Sequence, residues 1–247
     1  MRLILCALLL AVITGHAHSA ALRVAVADSW AMPMIEVTDG QPTSGILYDL
    51  ILSLARHLGQ PVQFQVLARA RVQSAMEHGE VDIRCFVAPA WVGHSARNYL
   101  WSEPLLEQRD VLVSTHKHLN PVNVQTLPQQ SIGTVLSYTY PSLQPLFDAE
   151  KLHRDDARSQ EQVLQMLIAR RFDYAVSNQW ALDWVNKSRE QTDQLHSVAL
   201  IQEQRLSCMV RNDPHLATGR ILDTLVNMRD SGEIERIIAR YTTPSAP

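Results

Sequence analysis

Val72-Gln-Ser-Ala-Met-Glu-His-Gly-Glu-Val-Asp82-Ile-Arg-Cys-Phe86 aligns without a gap on Val163-Leu-Gln-Met-Leu-Ile-Ala-Arg-Arg-Phe-Asp173-Tyr-Ala-Val-Ser177. Each copy reads as an apolar-periodic helix, a tight turn, an aspartate and a buried strand. A helix–turn–Asp–strand unit occurring twice implies two similar α/β lobes. Two lobes leave a cleft between them, and clefts are where small molecules bind.

Working outward, Leu22–Ala27 reads as a strand and Asp39-Gly40 as a hairpin-type turn. Over residues 46–58, Leu47, Leu50, Ile51, Leu54 and Leu58 recur at helical spacing, and Gly59 ends the helix. Residues 62–66 alternate as a strand. The order strand, helix, strand, helix, strand over residues 22–87 argues for a parallel sheet with helical crossovers. Residues 110–114 read as a strand leaving the first lobe, and residues 131–136 open the second. A helix over 160–169, a strand over 174–177 and a helix over 179–185 follow. A return strand over 206–210 precedes helices over 215–228 and 232–240. The stretch 117–130, with Pro121 and Pro128, reads as a loop between lobes. The fold class expected is α/β, with two similar lobes, a central cleft and a two-stranded hinge at the connectors near 110–114 and 200–206. Lobe 1 is expected over 21–112, lobe 2 over 113–204, and a return to lobe 1 over 205–247.

Residues 1–20 read as a signal peptide. Arg2 is followed by an apolar run from Leu3 to Thr14, too short to span a bilayer, and Ala17-His-Ser19 offers a cleavage site. Removing it from 247 residues leaves about 227, enough for two small domains. A net charge of -3 and no basic stripe argue against nucleic acid as a partner. No second long apolar run follows, so no membrane insertion is expected after cleavage. The expected location is the periplasm, where disulfides persist. Cys85 and Cys208 remain after cleavage, each in a predicted strand. They form a bridge if those strands are neighbours, or else two small buried thiols.

Several motifs together resemble the periplasmic solute-binding proteins of the polar-amino-acid type that serve ABC transporters (bacterial extracellular solute-binding protein, family 3). Leu22-Arg-Val-Ala-Val-Ala27 is similar to the family's opening strand, and Pro33 stands where its ligand loop carries proline. Asp39-Gly40 with Gly45-Ile-Leu-Tyr48-Asp49-Leu50 resembles a "DG…G-x-x-x-D-L" signature. His78-Gly79-Glu-Val-Asp82 resembles a "G-x-x-D" turn. Arg97 with Trp101-Ser102-Glu103-Pro104 resembles an "R…F-S-x-P" segment, and Ser231-Gly232 through Ile237 the C-terminal helix. The resemblance covers nearly all of the mature chain.

The resemblance implies a set of ligand-binding residues. Arg97 matches the arginine that grips the ligand carboxylate, a role suited to a planar, permanently charged fork of donors. Arg97→Ala is therefore expected to abolish carboxylate binding. Arg71, with Arg69 beside it, offers a second cation, and Trp30 an aromatic wall. Ser137, Tyr138 and Thr139 resemble a "G-T-T" loop at a helix start, where unpaired N–H groups suit an anion. Asn178 stands where amino-acid receptors carry an acid for the ligand ammonium. It keeps an acceptor but no charge, so an organic acid is expected in preference to an ordinary α-amino acid. Arg84, independently of any resemblance, lies in a strand that should be buried, where an isolated charge is expensive. It must reach solvent, the cleft or an acid.

His116-Lys-His118 lacks further ligands at metal spacing, so no metal is expected, and no motif calls for a cofactor. The function expected is a non-enzymatic, monomeric receptor. It captures a small polar solute, carboxylate-bearing by the resemblance, and presents it to a membrane permease or sensor protein. The alternatives are an accessory protein of a periplasmic redox enzyme with the same fold, and a cyclic-carboxylate dehydratase. The dehydratase needs a placed general acid, which position 178 does not supply.

Overall fold

The first lobe grows from β1 (Leu22–Ala27), a mostly apolar run buried along nearly its whole length. The structure is a computed structural model that describes residues 20–242. The expected signal peptide, Ala20 apart, and the tail after Thr242 fall outside the described residues. A short hairpin, β2 (Glu36–Thr38) and β3 (Gln41–Ser44), turns at Asp39-Gly40 and leads into α1 (Ile46–Leu58). Helix α1 buries Leu47, Leu50, Ile51, Leu54 and Leu58. It ends at Gly59, whose φ of 65° lets its N–H reach back to the carbonyls of the last turn. β4 (Val62–Leu67), α2 (Val72–Glu77) and β5 (Ile83–Val87) complete a β-α-β-α-β unit, with β4 and β5 both parallel to β1. β6 (Tyr99–Trp101) is a short addition.

β7 (Leu106–Ser114) leaves this lobe. The second repeats the plan with β8 (Gln130–Val135), α3 (Gln144–Asp148), β9 (Leu152–Ala157), α4 (Gln160–Ile168) and β10 (Ala175–Asn178), followed by α5 (Gln179–Asn186). β11 (His196–Arg211) returns, and α6 (Thr218–Asp230) and α7 (Glu233–Thr242) pack on the first lobe's core around α1. The strand order β4-β1-β5-β11-β7-β10-β8-β9 has its centre at β11 and β7. These pair antiparallel from Leu206↔Leu106 to His196↔Ser114 and form the two-stranded hinge. The short return strand read from the sequence is the last third of this 16-residue strand.

The duplicated unit is duplicated in space. β5 lies between parallel β1 and antiparallel β11, and β10 between parallel β8 and antiparallel β7. The two aspartates nonetheless differ. Asp82 is buried and accepts hydrogen bonds from the main chain (3.1 Å) and Nε (3.0 Å) of Arg23 and from Arg211 Nη2 (3.0 Å). Asp173 is exposed. Cys85 and Cys208 are joined by a disulfide across β5 and β11, where the ladder shifts register between Ser207 and Met209. Beside it Phe86 has a φ of 60°, unusual for a bulky residue. Strands β6 and β9 do not show in the sequence pattern: the first is a three-residue strand, and Leu152–Ala157 is too polar to show alternation.

Candidate functional site

In parallel α/β sheets, ligands sit beyond the carboxyl ends of the strands. Here those ends meet between the lobes. Trp30, from the loop after β1, and Arg69, from the turn after β4, face a cavity with Arg84 and Phe86 of β5. Tyr138 and Thr139, after β8, and Asn178, at the end of β10, close it from the second lobe. Gln108 and Asp110 of hinge strand β7 form part of its lining. The cavity volume is about 40 Å³, and because its walls belong to two lobes it depends on the hinge angle.

Contacts across the cleft hold this arrangement. Gln160 N–H donates to the Ser29 carbonyl (3.2 Å), and Ser29 Oγ bonds Tyr138 Oη (3.3 Å). The Arg69 guanidinium lies 5.7 Å from the Tyr138 ring centroid, a cation–π approach. The loop carrying Tyr138 is itself anchored: Arg154 donates to the carbonyls of Tyr138 (3.0 Å) and Val135 (2.8 Å). Phe86 meets Trp30 edge-on at 5.8 Å, so the left-handed residue beside the disulfide helps build the aromatic wall.

The electrostatics are unbalanced in a specific way. Arg84 is buried and forms no ion pair among the described residues; burial, with Arg69 close by, pushes its pKa down to about 9. Arg69 is also lowered by burial. Burial is the larger cause for both, and at Arg84 the nearby charge of Arg69 adds to it. Among the described residues, five buried side-chain polar atoms lack a partner, and three of them line this cavity: Arg84 Nε, Trp91 Nε1 and Gln108 Oε1. Buried polar groups are normally satisfied, so this clustering marks a site shaped for something polar. Asp110, also buried, accepts Gln108 Nε2 at 2.5 Å and Gln202 Nε2 at 2.7 Å. Burial outweighs these bonds and raises its pKa.

Of the residues expected from the sequence, Trp30, Tyr138, Thr139 and Asn178 line the cavity. Arg97, Arg71 and Ser137 do not. Arg97 sits on an exposed 3₁₀ turn over Gly93–Asn98, with Nε directed to the His94 carbonyl (3.3 Å). Arg71 is exposed and faces Glu80 at 3.7 Å. Ser137 takes a φ of 63°, a left-handed turn that leaves it exposed. The expected helix start there also moves, because α3 begins only at Gln144. Asn178 caps α5, its Oδ1 accepting the Ala181 N–H at 2.8 Å. Arg84 lines the cleft cavity yet stays buried and unpaired among the described residues, so the expected cost of a lone charge stands. Gln108 and Asp110 carried no signal in the sequence, since polar residues in an alternating strand ordinarily face water.

The architecture defines a class: a two-lobed, periplasmic-binding-protein-like fold of type II. Solved structures of that fold superpose over most of the chain. A histidine kinase sensor domain similar to periplasmic binding proteins matches at a TM-score of 0.72 and 19% identity, over 93% of this chain and 99% of its own. The GluR0 ligand-binding core from Nostoc punctiforme in complex with L-glutamate matches at 0.72 and 16%, over 90% and 100%. The ancestral amino acid-binding protein AncCDT-1, a precursor of cyclohexadienyl dehydratase, matches at 0.71 and 17%, over 90% and 95%. No protein-family model matches the chain, and no curated protein does.

Proposed function

We propose that this protein is a periplasmic receptor that captures a small, carboxylate-bearing solute between its lobes and presents it to a membrane permease or sensor protein. The observation that carries this reading is the pair Arg84 and Arg69, two cations in one inter-lobe cavity that form no ion pair among the described residues. A carboxylate between them relieves their repulsion and satisfies the orphaned Arg84 Nε. The division into lobe 1 (21–112 and 205–247) and lobe 2 (113–204) belongs to this reading, with strands β7 and β11 flexing as the lobes close, as does export by residues 1–20.

The test is native mass spectrometry of protein purified without refolding, combined with thermal shift. A retained small acid, and stabilisation by it that is lost in Arg84→Gln, supports the receptor. A retained solute that stabilises wild type and Arg84→Gln equally removes this cavity from the reading.

A second reading, the cyclic-carboxylate dehydratase, is favoured by one observation: Asp110 places a buried carboxyl with raised proton affinity in the same cavity. Such a group can serve as a general acid. Turnover of a cyclic carboxylate, abolished in Asp110→Asn, distinguishes the two.

A further inference from the structure

We propose that the solute selected by this site is a small dicarboxylate bearing a hydroxyl, with no amine in the hydroxyl's place. The inference rests on the receptor reading and concerns which solutes that same cavity prefers.

The donors in the lining call for negative charge in more than one place. Arg69 and Arg84 each present a fork that matches one carboxylate, and Trp91 Nε1 adds a buried N–H without a partner. A single carboxylate shared between the two guanidiniums balances one of their two charges. The second charge would remain desolvated, which is expensive.

The acceptors are mostly engaged. Asp110 Oδ1 takes the Gln108 amide and Oδ2 takes the Gln202 amide. The Gln202 amide is oriented from its other side, where its Oε1 accepts from Ser142 Oγ at 3.0 Å. Asn178 Oδ1 is used by the helix cap. Of the buried side-chain acceptors in the lining, Gln108 Oε1 is the one without a partner among the described residues, while its Nε2 donates to Asp110. One neutral acceptor suits one neutral donor. A hydroxyl supplies that donor and carries no charge to desolvate. An ammonium brings three donors and a full charge into a place where one buried acceptor is open. Both oxygens of Asp110 already take a glutamine amide, and burial raises its proton affinity.

The experiment is calorimetric titration of the purified protein with two matched series. One is succinate, L-malate, D-malate and L-aspartate. The other is glutarate, the two 2-hydroxyglutarate enantiomers and L-glutamate. Within each series the acids differ only in the substituent on one carbon. One hydroxy acid enantiomer is expected to bind about tenfold more tightly than its unsubstituted parent, the amino acid being weakest. In Gln108→Met the hydroxyl preference should shrink to within about twofold while the parent acid binds as before. The wild-type order tests the proposal even if that variant does not fold. An amino acid binding as tightly as its hydroxy counterpart overturns the inference and leaves the receptor standing. Failure of every member of both series also overturns it, and a retained solute of another class in the mass spectrum then keeps the receptor reading apart from this one.

Discussion

Asp110 lies directly opposite Asn178 across the antiparallel ladder of β7 and β10. The end of the repeated strand thus carries an amide and its neighbour in the sheet a carboxyl, which two glutamine amides hold in place.

That carboxylate gives a pH dependence of definite sign. Burial raises the folded-state pKa of Asp110 above 3.8, so the native state holds this proton more tightly than the unfolded chain. Its contribution to stability is full below pH ~3.9 and is lost as pH rises through the elevated folded value. Asp110→Asn should flatten this part of the profile, as measured by urea unfolding at a series of pH values from about 4 to 8. Parallel profiles for variant and wild type would show that the carboxyl is not perturbed.

Arg84→Met removes a buried, unpaired cation while keeping much of its volume. The unliganded protein should become more stable, by about 1–3 kcal/mol, and lose carboxylate binding. Arg97→Ala, on an exposed turn, should change neither property, contrary to the expectation from the sequence. Thermal melts with and without an acidic solute check both variants together.

Asp82 is expected to behave in the opposite sense from Asp110. Burial acts to raise its pKa, but the hydrogen bonds and charge of Arg23, with Arg211, prevail and lower it. Its contribution is present above pH ~3.9 and is lost as pH falls through the depressed folded value. Asp82→Asn should cost about 2–3 kcal/mol at neutral pH, with a smaller penalty in acid. Asp173→Asn, at the exposed counterpart, should be within about 0.5 kcal/mol of wild type. Denaturant midpoints for the pair test whether the repeat is structural on one side only.

The Cys85–Cys208 disulfide closes a sequence separation of 123 residues. In the chain-entropy limit, its loss costs about 4–5 kcal/mol. The doubly substituted Cys85→Ser, Cys208→Ser protein should unfold at markedly lower urea than wild type, and a reductant should shift wild type but not the variant. Equal midpoints for wild type with and without reductant would place the cross-link outside the folding energetics.

Much of the framework could be read locally. Strand β1 and helix α1 run over the residues their patterns indicate, because hydrophobic periodicity and a left-handed glycine cap act within a few residues. The repeat was legible because its two copies keep the same order of helix, turn and strand. The site was legible only in part. Trp30, Tyr138 and Thr139 lie in loops after strands and Asn178 ends one, where the chain order already points to the cleft. Arg97 was misplaced because its guanidinium could be matched to a pattern but not to a direction, and the 3₁₀ turn aims it at a neighbouring carbonyl.

The sequence by itself determined the two lobes, their order of helices and strands and the cost attached to a charge at Arg84 in a buried strand, since each follows from periodicity or from the desolvation of one charge. Only the tertiary structure decided which arginines share the cavity, that Asp110 and Gln108 join them, and which polar atoms remain unpaired. Those are matters of register between strands far apart in the chain, and register is set by pairing and packing across the whole sheet.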